Sequence, residues 1–394
     1  MILGSLFAFA LASPVPVSGT GSVSGTGPNA SVVAAAIQSD AERWARGETL
    51  WSEGRRLAAL EVFDDLIREH GIVPDRRADA TWTPLVERAA LGRLLVAHYR
   101  RAEELARSLP PERGKRILGR ALYGLARFEE ALVHLDVTLP DEVLLVVDAA
   151  TALGRTERAA AALVAAEQVL GDDDPRILAA RGAALARSGD DAAAARAFER
   201  ALIGDPLSAK ALFGLGRALL RLGRRDEGLV VLERHRELVP LLDALEFARA
   251  SADLDLTHAS NRAALGDAHR ALAGYDPREL DRAEDCYRVA AALASDSEIV
   301  TAIALRHARL LALDREQPEA AVAILRAALE RARDVRLLVR IGDVEFEAGH
   351  PGAALAAYDE ALLERPGERP IEARRARARA ALEAISRGST DDER

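Results

Sequence analysis

The chain of 394 residues is 49% apolar but 4% aromatic, and alanine and leucine supply most of its apolar side chains. This composition favours closely packed helices over a sheet core, which would be richer in aromatic and β-branched residues. The formal net charge of −9 argues against general nucleic-acid binding, because that activity needs a basic surface.

The first segment of the chain has the character of an export signal followed by a linker. Residues 1–12 form an apolar run that ends in the small-residue triplet Ala10-Leu11-Ala12 and is too short to span a bilayer comfortably. We interpret the run as a signal peptide or an apolar leader and predict a periplasmic or otherwise exported protein, with a cytoplasmic protein as the alternative. Residues 13–37 are rich in Gly, Ser, Thr and Pro, which predicts a disordered linker.

A spaced pattern of small and bulky residues follows the linker and is clearest in residues 182–206. Its skeleton of Gly182, Gly189, Ala194 and Phe198 recurs later in the chain as Gly342, Gly349, Ala354 and Tyr358. Recurrence of several positions together indicates a stacked repeat architecture, in which each unit buries its apolar face against its neighbours.

Each repeat is predicted to consist of two amphipathic helices joined at a glycine. Gly189 follows the first helix, where a left-handed conformation costs glycine little, and Asp190 can cap the second helix. Pro206 and Pro240 are predicted to end the second helices of their repeats, because proline lacks the N–H group that a helix interior needs.

The small and bulky positions predict how the helices pack. Gly182 in the first helix and Ala194 in the second helix would let the two backbones approach closely. Phe198 would then fill the space between neighbouring repeats.

With these residues in place, the chain resembles the tetratricopeptide repeat family. The matching positions are Leu178, Gly182, Leu185, Gly189, Ala194, Phe198, Ala201 and Pro206. A close copy lies at 212–240, clear copies lie at 40–70, 112–140 and 335–366, and weaker copies lie at 141–171 and 301–331. The repeat at 260–293 keeps the small and bulky positions but contains an insertion around Gly274 to Pro277. Segments 80–110 and 241–260 have helical patterns but fit the repeat poorly.

The resemblance implies an all-α fold, a right-handed α-solenoid (superhelix) of about eight stacked antiparallel helix pairs. The implied order is a solenoid block at 38–240, an irregular helical joint at 241–260, a second block at 261–366, a capping helix at 367–387 and a disordered tail at 388–394.

The sequence contains no recognisable catalytic pattern. It has no G-x-S-x-G elbow and no Walker loop, and its histidines form neither an H-E-x-x-H pattern nor an i, i+4 pair. Cys286 is the single cysteine and is interpreted as a small core residue. We therefore predict a non-enzyme without metal or small-molecule cofactor; an enzyme with clustered histidines and carboxylates on its helices is the alternative.

The resemblance also implies that the exposed side of each first helix lines a concave groove. The candidate groove residues are Arg113, Arg116, Arg120, Tyr123, Arg176, Arg187, Lys210, Phe213, Arg217 and Arg221. They form a mostly cationic strip, interrupted by one acidic repeat with Asp141 and Asp148. One hypothesis is a groove for an acidic or carboxylate-ended peptide. The other is a solvated charged face that is balanced by carboxylates on neighbouring helices.

We therefore predict a scaffold or adaptor that binds a protein or peptide partner, without binding nucleic acid and without an integral membrane span. A structural subunit of a bacterial cell-envelope assembly, acting through oligomerisation, is the alternative.

Overall fold

A computed structural model describes residues 28–71 and 82–391. Every regular element within these two ranges is a helix, which confirms the all-α fold of stacked helix pairs. The predicted leader at 1–12, linker residues 13–27 and the last three residues, 392–394, lie outside the described ranges. None of the described helices combines the length and apolar character needed to cross a membrane.

The chain divides into two compact units: the first extends to Pro240 and also includes Asp253–Asp255, and the second comprises Leu241–Ala252 and the chain from Leu256 onwards. Helices α1–α11 belong to the first unit and lie at Pro28–Ser52, Arg56–Glu69, Thr83–Leu95, Tyr99–Ser108, Pro111–Gly124, Phe128–His134, Val143–Ala152, Thr156–Leu170, Pro175–Ser188, Asp191–Gly204 and Ala209–Arg221. Helix α12, Arg225–Leu254, contains the boundary. Helices α13–α19 belong to the second unit and lie at Ala259–Leu272, Glu279–Leu293, Ser297–Arg309, Pro318–Ala332, Val335–Glu347, Pro351–Glu364 and Arg369–Asp391.

The turn between α9 and α10 follows the expected chemistry. Gly189 has a φ of 87°, in the left-handed region that glycine adopts without a steric penalty. The side chain of Asp190 accepts a hydrogen bond of 2.9 Å from the backbone N–H of Ala193. One residue therefore reverses the chain and the next satisfies a free N–H group at the start of α10.

Phe198 is the central packing residue of this repeat, as predicted. The ring is 1% exposed, and a Cβ atom placed on Gly182 would lie 2.9 Å from its Cδ1 atom. Gly214 of α11 also packs on this ring, and a Cβ atom there would overlap it. Phe198 thus fills a space that two glycines leave open on successive first helices.

The second unit repeats this arrangement with tyrosine in place of phenylalanine. Tyr287 of α14 packs on Gly266 of α13, and Tyr358 of α18 packs on Gly342 of α17. Both tyrosine rings are at most 2% exposed. The close approach of a glycine to an aromatic ring is therefore common to both units.

Helices α3 and α4 form a helix pair in the segment 80–110, which fits the repeat pattern poorly. Ala97 occupies the turn with a φ of 55°, where repeats such as the α9–α10 pair have glycine. Ala106 stands in place of the bulky residue, and Gly114 of α5 packs closely against its carbonyl oxygen. Because no ring fills this space, α5 approaches the backbone of α4 directly. Helices α3 and α4 therefore pack as a pair although their sequence lacks the repeat pattern.

The prediction that Pro240 ends a helix is wrong. Pro240 lies inside α12, which continues to Leu254. Leu238 is fully buried and Leu245 is 5% exposed, so apolar burial continues on both sides of the proline. Pro240 itself is exposed, which lets water hydrate the carbonyl of Arg236 that loses its intrahelical N–H partner.

Two helix ends also differ from the segments expected from composition. Helix α1 begins at Pro28, so residues 28–37 are helical rather than part of the linker. Helix α19 runs to Asp391, beyond residue 387 where the sequence places the end of the capping helix. Ile371 and Ala378 of α19 are buried against the second unit, so packing anchors this helix.

Candidate functional site

The first helices of the pairs form one layer in the first unit. Helix α3 contacts α5, and α9 contacts both α7 and α11, in addition to the contacts each makes with its neighbours along the chain. We call the solvent-facing side of α5, α7, α9 and α11 the first-helix face. It carries Arg113, Arg116, Arg120, Tyr123, Asp141, Leu144, Asp148, Arg176, Ala183, Arg187, Lys210, Phe213, Arg217 and Arg221, with Asp141 two residues before the start of α7.

The three arginines of α5 all contact carboxylates. Arg113 pairs with Glu87 of α3 at 3.0 Å, and Arg120 pairs with Asp141 at 3.1 Å. The side chain of Arg120 is 13% exposed, and burial lowers its pKa although Asp141 opposes the shift. These groups therefore join α5 to the helices on either side of it.

Arg116 supports the structure of the repeat. Its Nε atom donates to Oε1 of Glu142 at 2.9 Å, and its Nη2 atom pairs with Asp141 at 3.1 Å. Glu142 is fully buried, and its other oxygen accepts the backbone N–H of Asp136 at 2.9 Å. A change at Arg116 would leave a buried carboxylate poorly compensated, so this residue is unsuitable as a binding probe.

Tyr123 offers less surface than an exposed anchor would. It is half-buried, and its ring centroid lies 5.5 Å from that of Phe128. Burial raises the pKa of Tyr123 to about 12. The phenol therefore stays neutral across the physiological range.

The two arginines of α9 differ in their surroundings. Arg176 pairs with Asp174, the N-cap of its own helix, at 2.7 Å. Arg187 is exposed and donates to the carbonyl oxygen of Ala183 at 3.1 Å, and its Nη2 atom lies 3.4 Å from Oγ1 of Thr151 on α7. Among the described residues, Arg187 has no carboxylate partner.

Two cations of α11 are held by ion pairs. Arg221 pairs with Asp191 at the start of α10, at 2.7 Å. Lys210 pairs with Asp148 of α7, although α9 lies between the two helices. On α9, which contacts both helices, Ala183 presents a small side chain to this face, and Ala179 is buried beneath it.

Phe213 and Arg217 form the most accessible part of the face. Phe213 is 45% exposed, and its ring lies 5.4 Å from that of His235. The guanidinium carbon of Arg217 lies 5.6 Å from the Phe213 ring centroid, within the range of a cation–π contact. Within residues 28–71 and 82–391, no carboxylate pairs with Arg217.

The charged side chains are therefore mostly balanced. Of the eight cations predicted to line the groove, six have carboxylate partners, which are Arg113, Arg116, Arg120, Arg176, Lys210 and Arg221. Arg187 and Arg217 have no carboxylate partner among the described residues, and Arg217 lies beside Phe213. Their availability could not be inferred from the sequence, because partners such as Lys210 and Asp148 are far apart in the chain.

Metal binding and thiol chemistry find little support in the part of the chain that the structure describes. Over the described ranges, no group of three or more His, Cys, Asp or Glu side chains is arranged to hold a metal ion. Cys286 is half-buried, and burial raises the pKa of its thiol, which disfavours the reactive thiolate.

A comparison with known protein families identifies the repeat type. A family model described as tetratricopeptide repeat matches residues 97–295. No curated protein sequence matches the chain. Similar solved structures include TTC0263, a thermophilic TPR protein of Thermus thermophilus, with 22% identity, 52% of this chain and 98% of that chain covered, and a TM-score of 0.31.

Two further solved structures match with similar sequence identities and TM-scores. The Cut9–Hcn1 hetero-tetramer of the APC/C matches with 17% identity over 86% of this chain and 76% of that chain, with a TM-score of 0.31. The MamA protein matches with 22% identity over 49% of this chain and 92% of that chain, with a TM-score of 0.26. The assignment rests on the family model, which spans half of the 394 residues. This chain belongs to the tetratricopeptide repeat family.

Proposed function

We propose that this protein is a non-catalytic scaffold that binds an acidic segment of a partner protein on the α9–α11 part of the first-helix face. The family supports a protein-interaction role in general. The acidic partner is supported by one observation: Arg187 and Arg217 on this face have no carboxylate partner among the described residues, and the guanidinium carbon of Arg217 lies 5.6 Å from the exposed ring of Phe213.

An arginine without a carboxylate partner can bind a new one without first breaking an ion pair. Its guanidinium group can donate two parallel hydrogen bonds to a carboxylate, which makes the contact directional. Phe213 adds apolar area that an adjacent side chain of the partner can cover, and aromatic and arginine anchors commonly dominate binding energy.

The helical scaffold reduces the cost of binding. The face is formed by packed helices, and Ala179 and Leu212 beneath it are at most 2% exposed. Little ordering of the scaffold is therefore required when a partner binds. The positive charge that this face leaves without a carboxylate partner comes from Arg187 and Arg217, so charge complementarity favours an acidic segment over a basic one.

Fluorescence anisotropy with a defined probe tests the proposal. The probe is a fluorescein-labelled peptide of Ser and Gly with several Glu residues and one Leu, and its control peptide has Gln in place of Glu. We expect Arg187→Ala and Arg217→Ala each to weaken binding by about tenfold, since a hydrogen bond to a charged group is worth about 1.5–3 kcal/mol.

Arg196→Ala is the matched control variant, because Arg196 is exposed on α10, a second helix, and has no described carboxylate partner. The proposal is wrong if the protein does not prefer the Glu peptide to the Gln peptide. It is also wrong if Arg196→Ala weakens binding as much as Arg217→Ala does.

A further inference from the structure

We infer that the ion pair between Lys210 and Asp148 is a latch across the first-helix face that restrains the binding of acidic segments. The inference rests on the proposed function and concerns the regulation of the same site. The inference assigns a role to Asp148, an acidic residue on the first-helix face. Asp148 would determine how strongly this face selects acidic segments.

The geometry of the pair separates it from the other ion pairs of the face. Lys210 Nζ contacts Oδ1 of Asp148, so the pair joins α11 to α7 over the intervening helix α9. The other interhelical pairs on this face, such as Arg221 with Asp191, connect neighbouring helices. A segment that lay along the face over α9 would meet the Lys210–Asp148 pair in its path.

The pair is accessible enough to open. The side chains of Lys210 and Asp148 are 46% and 30% exposed, and pairs exposed to this degree change an equilibrium by about fivefold at most. A carboxylate of a bound segment can therefore replace Asp148 as the partner of Lys210. The exchange keeps Lys210 paired but leaves Asp148 facing an acidic segment, which opposes binding.

Lys210 is well placed to join the available arginine on its helix. Lys210, Phe213 and Arg217 are spaced i, i+3 and i+7 along α11 and are all exposed. This spacing puts them on one side of the helix. With the latch open, two cations would flank the Phe213 ring, whereas with the latch closed only Arg217 is available there.

Removing the carboxylate of Asp148 tests the latch directly. Asp148→Asn is nearly isosteric and should raise affinity for the Glu peptide by about fivefold, because it removes both the competing partner and the repulsion. The same variant should leave binding of the Gln peptide unchanged. In the Asp148→Asn background, Lys210→Gln should abolish the gain.

Glu199→Gln is the control for net charge, since Glu199 is exposed on α10 and its replacement changes the charge of the protein equally. The latch is ruled out if Asp148→Asn does not raise affinity, or if Glu199→Gln raises it as much. If the parent protein binds the Glu peptide through Arg217 but Asp148→Asn has no effect, the proposed function stands and only the latch fails. If neither the parent protein nor Asp148→Asn prefers the Glu peptide to the Gln peptide, both proposals fail. Thermal unfolding of each variant verifies that its fold is retained.

Discussion

The phenolic oxygen of Tyr358 donates a hydrogen bond of 2.8 Å to Oδ1 of Asp343, the residue that follows the glycine on which the tyrosine ring packs. Tyr287 donates to Asp267 at 2.6 Å in the same way, and Asp267 follows Gly266. An arginine adds to the first of these clusters, because Arg374 donates to Asp343 at 2.9 Å. In the first unit, Gly182 is followed by Ala183, and the ring is that of Phe198, which needs no acceptor.

We expect Tyr358→Phe to lower the free energy of unfolding by about 1–2 kcal/mol, because it removes a hydrogen bond to a carboxylate and keeps the ring. Burial and the adjacent carboxylate raise the pKa of Tyr358, so the phenol is the proton donor at neutral pH. Urea unfolding followed by circular dichroism gives the change. Phe346→Leu serves as a control for general packing loss in α17, and an unchanged stability for Tyr358→Phe would contradict a role for the hydrogen bond.

We expect Gly182→Ala to destabilise the first unit by about 1–3 kcal/mol through overpacking. The added methyl group would lie 2.9 Å from the Phe198 ring, which Gly214 also contacts closely. Phe198→Leu makes room for the methyl group, so the double variant should be more stable than the sum of the single changes predicts. Strict additivity in a double-mutant cycle, measured by urea unfolding, would show that the contact is relieved elsewhere.

The contacts between a glycine and an aromatic ring can be predicted from the sequence, because the small and bulky residues that form them recur at regular spacing. Gly182 and Phe198 are specified by contacts that recur in the repeats around Tyr287 and Tyr358. The sequence pattern does not reveal the pair α3–α4, because Ala106 stands where several other repeats have an aromatic ring. Gly114 on α5 fills the resulting space by bringing its backbone close to that of Ala106. Such compensation between elements leaves no periodic signal within one repeat.

The charged face is less predictable for a different reason. The register identifies exposed positions, including Phe213 and Arg217, because burial follows helical periodicity. It does not identify ion-pair partners, since Lys210 reaches Asp148 across 62 residues of sequence. The partner of a long charged side chain depends on which groups the tertiary structure brings close to it, and the local sequence does not specify these groups.

Ala126→Gly should stabilise the first unit by up to about 1 kcal/mol. Alanine in a left-handed conformation costs about 1–2 kcal/mol, which glycine avoids, but glycine loses more backbone entropy on folding and this offsets part of the gain. Ala126 has a φ of 58° in the turn between α5 and α6 and is exposed, so no packing is lost. Gly189→Ala is the reciprocal control and should be destabilising, since Gly189 has a φ of 87° and open space around it. A lower midpoint of urea unfolding for Ala126→Gly would refute this prediction.

Acid should destabilise the second unit partly through His307. The side chain is 5% exposed, and its Nε2 atom has no partner in the described part of the chain. Burial lowers the pKa of His307, while Glu284 opposes the shift and Arg288 adds to it. The folded state therefore resists the proton that the unfolded state takes up below a pH of about 6.5.

The stabilising effect of neutral His307 is accordingly complete above that pH and is lost as the pH falls towards the lowered pKa of the folded state. Urea unfolding at several pH values should show a smaller decrease for His307→Leu than for the parent protein. Equal decreases between pH values of about 7 and 5 would mean that His307 does not contribute. His134→Leu provides the same comparison in the first unit, because burial also lowers the pKa of His134.

Pro240→Ala should strengthen α12, since proline in a helix interior costs about 3 kcal/mol and alanine restores an N–H donor for the carbonyl of Arg236. Pro240 is exposed, so its ring contributes little packing that alanine would lose. We expect slower amide hydrogen exchange along residues 236–244 and a gain of about 1–3 kcal/mol in the free energy of opening this helix. Pro206→Ala, in the turn between α10 and α11, should show no such gain, because Pro206 interrupts no helix. Faster exchange around residue 240 in Pro240→Ala would mean that the proline stabilises the helix through contacts and restricted backbone freedom that outweigh its missing hydrogen bond.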